Sequence, residues 1–112
     1  MLEPGDIFAE IEACPPLMRT QTKAVYIGRE VDWTLTFADG YEDRPGYARV
    51  MFHYQPHEVK FIAMGVPLAD YPWLRPTHPG EVIRVRGRIA DIGTLSIELQ
   101  EASLMQLAEA AH

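Results

Sequence analysis

Residues 80–104, GEVIRVRGRIADIGTLSIELQEASL, constrain the fold more than any other part of the chain. Two runs of alternating apolar and polar side chains, Val82 to Asp91 and Thr94 to Glu101, flank a tight turn around Gly93. A Pro79-Gly80 turn precedes them. The pattern predicts a β-hairpin of the kind that closes a small barrel.

The size and composition of the chain favour a single soluble domain. Its 112 residues, 47% of them apolar, are enough for one core. No apolar run approaches the roughly 18 residues that a membrane span needs, and the opening MLEPGD has neither a basic start nor an apolar signal core. Cys14 is the single cysteine, which fits a reducing compartment and a structural role. We therefore expect a cytoplasmic protein without a membrane partner.

The N-terminal region predicts a helical hairpin. Residues 5–14 carry an apolar stripe typical of a short amphipathic helix, with Asp6 as a suitable N-cap. The stripe consists of Ile7, Phe8 and Ile11. Two consecutive prolines end this helix, and residues 17–26 predict a second one that stops at Gly28. We expect residues 1–28 to pack on the remainder of the chain.

Period-two patterns predict three strands after the helices. They cover residues 29–37, 47–55 and 58–66. The polar residues 38–46 indicate a loop between the first two strands. Residues 67–80 contain too many prolines for a strand and predict one helical turn followed by a loop. The last stretch, residues 103–112, is compatible with a short terminal helix.

The predicted order of elements is three strands, a short helix and two more strands. The five-stranded Greek-key barrel called the oligonucleotide/oligosaccharide-binding (OB) fold has this order. From about Arg29 to Met105 the chain resembles OB-fold domains of the tRNA-anticodon-like kind found in small uncharacterised bacterial proteins. The residues that carry the resemblance are VDWTLTF, GEVIRVRGRI and LSIELQEASL. The segment IFAEIEACPPLMRTQTKAVYIGREVDW also resembles the helical lead-in of such modules on bacterial signalling or defence proteins. The resemblance implies a mainly β binding module, with residues 29–105 as the barrel and 106–112 as a tail, and it transfers no catalytic residue.

OB barrels usually bind their ligand across the second and third strands and the adjoining loops. If Val50, Phe52 and Phe61 fill the barrel, the outward side chains of these strands are Arg49, Met51, His53, Lys60, Ile62 and Met64. This face lacks the aromatic rings on which single-strand binders stack bases, a contact worth about 1–3 kcal/mol. It therefore suits a partner protein or a second copy of the chain. The alternative is that the N-terminal helices cover Ile62 and Met64.

Aromatic residues flank the same predicted face. Tyr41 and Tyr47 border the loop between the first two strands, and Tyr71 and Trp73 follow the third strand. Such rings can anchor a peptide or stack a base. For Trp73, which lies between Pro72 and a leucine, a core role is favoured. Tyr41, Tyr47 and Tyr71 join the candidate partner-binding residues.

Three arginines share one face of the fourth predicted strand. They are Arg84, Arg86 and Arg88. Because guanidinium groups suit phosphate oxygens, these arginines together with Arg49 and Lys60 form a candidate nucleic-acid surface. The formal net charge of −6 disfavours this interpretation, since the field of the whole molecule repels polyanions. Pairing with acidic residues of the neighbouring strands is favoured instead. The expected partners are Glu98, Glu30 and Asp32.

No sequence pattern indicates catalysis or metal binding. The chain contains no GxxxxGK[ST], GxSxG, HExxH or DxDxDG motif. His53 and His57 are four residues apart, but Pro56 lies between them and breaks the helix that would bring them together. We expect no cofactor and no catalytic residue, but an adaptor that docks on a partner protein or on itself. Weak binding of single-stranded nucleic acid is the first alternative, and a small enzyme or small-molecule sensor is the second.

Overall fold

The computed structural model describes residues 3–54, 59–93 and 96–107. The helices are α1 (Pro4–Ala13) and α2 (Arg19–Tyr26). The strands are β1 (Glu30–Arg44), β2 (Tyr47–Tyr54), β3 (Val59–Pro67), β4 (Val82–Ile92) and β5 (Ser96–Gln106). Single 3-10 turns occur at Pro16–Met18 and Leu68–Asp70. The mainly β architecture with a helical lead-in is therefore confirmed.

The strands close into a barrel in the order β1-β2-β3-β5-β4. Neighbouring strands are antiparallel except β3 and β5, which run parallel. The fourth strand lies between the fifth and the first, as the OB order requires. β1 pairs with two neighbouring strands along its length. Glu30 to Thr36 pair with β4, and Thr36 to Arg44 pair with β2.

Alternate residues of the first half of β1 and of the other four strands point into one apolar core. Val50, Phe52 and Phe61 are fully buried, as the periodicity predicts. Ile7 and Ile11 of α1 belong to the same buried cluster, so this helix closes the barrel at one end. The side chains of Ile62 and Met64 lie outside that cluster and are half-buried. The buried stripe of α1 thus serves the core, and not the outer face of β2 and β3.

β1 continues through most of the segment that the sequence predicts to be a loop. Asp39 to Arg44 pair with β2, and the chain turns at Pro45 and Gly46, whose φ of 81° lies in the region that glycine tolerates. The prediction is wrong because both faces of this stretch are exposed to solvent. Without a buried face, a strand shows no apolar alternation.

The predicted C-terminal helix is also wrong where the structure describes it. Ser103 to Gln106 continue β5 and pair with β4, and Leu104 enters the core. Pairing and burial override the local helix preference of this segment. The end of the tail lies outside the described residues, as do the predicted strand ends at Gln55, Glu58 and Thr94.

The two helices are joined by a partly buried hydrogen bond. The hydroxyl of Tyr26 in α2 donates to the carboxylate of Glu10 in α1. Burial and the hydrogen bond with Glu10 raise the pKa of Tyr26 from 10.0 to about 12. The neutral phenol therefore stabilises the folded lead-in at every pH below about 10.

Tyr26→Phe should lower the free energy of unfolding by about 1 kcal/mol at neutral pH, because it removes the hydrogen bond and leaves the Glu10 carboxylate without this donor. The measurement is chemical denaturation, with Tyr47→Phe at an exposed ring as the control. In the wild type this contribution should be lost as the pH rises from 10 towards 12, and in Tyr26→Phe that loss should be absent. Equal stability of the two proteins would contradict the assigned bond.

Candidate functional site

The structure brings together the six side chains predicted to face outward from β2 and β3. Met51 lies opposite Ile62, and His53 lies opposite Lys60. His53 and Lys60 are exposed, whereas the other four side chains are half-buried. These four are Arg49, Met51, Ile62 and Met64. We call the six residues the outer face.

The centre of the outer face is apolar and its borders are acidic. Met51 and Ile62 form the central pair. Asp39 on β1 lies opposite Met51, and Glu98 on β5 lies opposite Ile62. An apolar pair between carboxylates resembles the composition of a protein interface, whose centre is poor in charge and whose rim is polar.

Arg49 has the least satisfied side chain of the outer face. Its Nε atom is buried and finds no hydrogen-bond partner among the described residues. A buried N–H without an acceptor is unfavourable by about 1–3 kcal/mol. Arg49 of β2 lies opposite Tyr41 of β1, so the Arg49 side chain borders the exposed end of the sheet.

The extended β1–β2 hairpin forms a second part of the site, which we call the ribbon (Asp39–Tyr47). Every residue of the ribbon is exposed. The side chains of Tyr41 and Tyr47 are 51% and 38% exposed, which is unusual for aromatic rings. The guanidinium carbon of Arg44 lies 4.1 Å from the centre of the Tyr47 ring, a cation–π contact.

A groove of about 350 Å³ lies between the ribbon and the segment that follows β3. We call it the ribbon groove. Its apolar lining consists of Phe37, Ala48, Val50, Leu68, Leu74 and Pro79. At its rim, Arg75 Nη2 lies 3.2 Å from Glu42 Oε1. The backbone N–H of Gly46 and this arginine lower the pKa of Glu42, so the rim carries an ion pair at neutral pH.

Tyr71 and Trp73 lie in the segment between β3 and β4 and not in the ribbon. Both rings are half-buried and pack edge to face, with centroids 6.0 Å apart, against the core. The Tyr71 hydroxyl accepts a hydrogen bond of 3.3 Å from the backbone N–H of Leu104. Trp73 has the core position expected for it. Tyr71, predicted to bind a partner, is engaged within the chain.

The arginines of β4 face carboxylates of β1, as the strand order predicts. Arg84 binds Asp32 through two hydrogen bonds, Nε to Oδ1 at 2.8 Å and Nη2 to Oδ2 at 2.6 Å. Arg86 Nε lies 3.7 Å from the same carboxylate. The hydrogen bond from Arg84 is the main cause that lowers the pKa of Asp32. Asp32 therefore stays ionised and offsets part of this positive charge.

Arg88 is held by two carboxylates, one of which differs from the expectation. Its Nη2 lies 3.5 Å from Glu30 Oε1, and its Nε donates to Glu101 Oε2 at 3.1 Å. The partner on β5 is thus Glu101 and not Glu98. The register of β4 and β5 shifts at this point, and Glu101 has a φ of 54°. Such a bulge redirects a side chain and cannot be read from alternation in the sequence.

Asp32→Asn tests how far these ion pairs support the barrel. Because the pKa of Asp32 is lowered in the folded state, its contribution is present at neutral pH and is lost as the pH falls below about 4. The unfolding free energy of the wild type should fall more steeply in that range than that of Asp32→Asn. The midpoint of urea denaturation between about pH 2 and 7 measures the difference. Parallel pH profiles would show that the pair is energetically silent.

The same pairing makes the arginines a poor anchor for a polyanion. We expect no change in fluorescence anisotropy when labelled single-stranded DNA or RNA is titrated at low salt, where electrostatic binding is strongest. The double variant Asp32→Asn/Glu101→Gln, which removes two of the neutralising charges, should bind weakly under the same conditions. Salt-dependent binding by the wild type would show instead that the arginines remain available to phosphates.

Within the described ranges no group of three or more His, Cys, Asp or Glu side chains could hold a metal ion. His57, one of the two histidines weighed as ligands, lies outside those ranges. In the same ranges no helix has the length and apolar character needed to cross a membrane. No protein-family model matches the chain, and no curated protein matches it.

Sequence reasoning located the outer face but missed the ribbon groove. It found the tyrosines, while it assigned no role to Asp39, Leu68, Leu74 and Arg75. Their proximity depends on the extension of β1, for which the sequence has no apolar alternation. Arg75 and Glu42 are 33 residues apart, and nothing local pairs them.

Proposed function

We propose that this protein is a non-catalytic binding module of the OB type that docks on a partner protein through the ribbon, the ribbon groove and the outer face. One observation carries the proposal: of the two exposed tyrosines of the ribbon, Tyr41 lines a groove with an apolar lining. Tyrosine side chains offer a large contact area with few rotatable bonds and a polar tip. They are enriched where proteins bind one another.

The charges of this surface also favour a protein over a nucleic acid. The outer face contains no aromatic ring, and the arginines of β4 are engaged by carboxylates. Methionine and arginine are over-represented at protein interfaces, and both occur here as Met51, Met64 and Arg49. Affinity would then arise from a few anchors within a polar rim.

The experiment is quantitative capture from extracts of the native host with the immobilised protein. The variant Tyr41→Ser/Tyr47→Ser should lose at least about 90% of a captured partner, since each ring supplies contact area that serine lacks. Met105→Ser, at a side chain that is 51% exposed on β5, is the matched control and should retain it. Circular dichroism should show that all three proteins are folded.

Two results would overturn the proposal. One is a partner that the tyrosine variant and the wild type capture equally. The other is capture that disappears on nuclease treatment, which would support the nucleic-acid alternative.

A further inference from the structure

The two halves of the helical lead-in carry opposite charges. These charged side chains form no ion pair among the described residues. Residues 3–12 contain four acidic and no basic side chains, whereas residues 14–29 contain three basic and no acidic ones. The acidic set is Glu3, Asp6, Glu10 and Glu12, and the basic set is Arg19, Lys23 and Arg29. Within the described part of the chain no ion pair joins α1 to α2. The two helices therefore present opposite charges side by side.

The basic half of the lead-in also carries most of the large apolar side chains that are exposed among the described residues. Among the described residues seven large apolar side chains are exposed, and four of them lie between residues 17 and 27. These four are Leu17, Met18, Val25 and Ile27. Leu17 is 96% exposed and Val25 is 65% exposed. Clustered exposed apolar side chains mark interaction sites more often than scattered ones do.

We propose that this surface binds a second copy of the chain across a two-fold axis, with α2 of each copy against α1 of the other. In a two-fold contact the same patch meets itself, so it must be complementary to itself. An acidic helix beside a basic, apolar helix meets that condition when the two copies are antiparallel. The acidic α1 of each copy then lies against the basic α2 of the other. If α2 faced α2 instead, cations would oppose cations, which is unfavourable. This interface lies on the lead-in and is separate from the docking surface proposed above.

The contacts within each copy leave charged side chains of both helices exposed and able to meet a second copy. Glu10 is occupied by Tyr26, and the Asp6 carboxylate accepts the backbone N–H of Glu3, the N-cap of α1, but Glu12 lies exposed near the end of α1. Arg19 is exposed at the start of α2. In the antiparallel arrangement the exposed apolar side chains would leave water, while the opposite charges of the two copies form the rim. An acidic surface of an unrelated protein is the competing occupant.

The first experiment is sedimentation velocity over a concentration series of about 1 µM to 1 mM, the range of weak dimers. We expect a monomer–dimer equilibrium that weakens as salt rises. Leu17→Ser/Val25→Ser should raise the dissociation constant at least about tenfold, as expected when central apolar contacts are removed. Met105→Ser, which changes an exposed apolar side chain outside the lead-in, should not change it.

The second experiment exchanges the charges. Arg19→Glu/Lys23→Glu makes both helices acidic, and Ala9→Lys/Glu12→Lys places cations on the exposed side of α1. Each variant alone should dimerise at least about tenfold more weakly than the wild type because like charges meet. An equimolar mixture of the two variants should form a one-to-one heterodimer. In it, each acidic helix faces a helix of the other variant that carries cations. Neither variant alters the Tyr26–Glu10 bond or the cap of α1.

Three outcomes would overturn the inference. They are a monomer at every concentration, a dimer unaffected by the apolar and charge variants, and variants that fail to combine in the mixture although circular dichroism shows both to be folded. A monomer that binds an acidic polyglutamate–leucine peptide through Leu17 and Val25 would assign the surface to an acidic partner instead.

Discussion

The double pairing of β1 is the constraint on which the rest of the structure depends. Its first half pairs with β4 and its second half with β2, so one strand links both sides of the barrel. The register with β4 sets Glu30 opposite Arg88 and Asp32 opposite Arg86. The second half extends beyond the barrel, and the ribbon is the result. The neutralised arginines and the exposed tyrosines are thus two consequences of one strand.

Much of this arrangement could be predicted because burial imposes periodicity. Strands with one face in the core show alternation, and for that reason the interior positions of Phe52 and Phe61 and the outward position of Met51 could be assigned. The stripe of Ile7 and Ile11 identified α1 in the same way. The ribbon has no buried face, and the extension of β1 through it was therefore missed. A pattern read from apolar residues is informative only where the core selects them.

The choice of counter-charges shows a second limit. The carboxylates of β1 were predictable, since an unbroken register places them beside the arginines. The carboxylate of β5 was not, because a bulge brings Glu101 to Arg88 in place of Glu98. Glu101 is the single non-glycine residue with positive φ among those described, a conformation unfavourable by about 1–2 kcal/mol. An exposed ion pair contributes about 0–1 kcal/mol, which is less than this backbone strain.

The two proposed surfaces lie at different places along β1, and this separation affects how they would work together. The lead-in joins the barrel where β1 begins, since the Gly28 N–H donates to the Ile89 carbonyl at 2.7 Å. The ribbon forms where β1 ends. A dimer formed through the lead-in would therefore leave both ribbon grooves open. Two weak sites on one dimer bind a target that carries two copies of the ligand more tightly than either site alone does. The two ligands must be spaced to match the two grooves. Modest docking through two tyrosines would then suffice for a module that acts as a dimer.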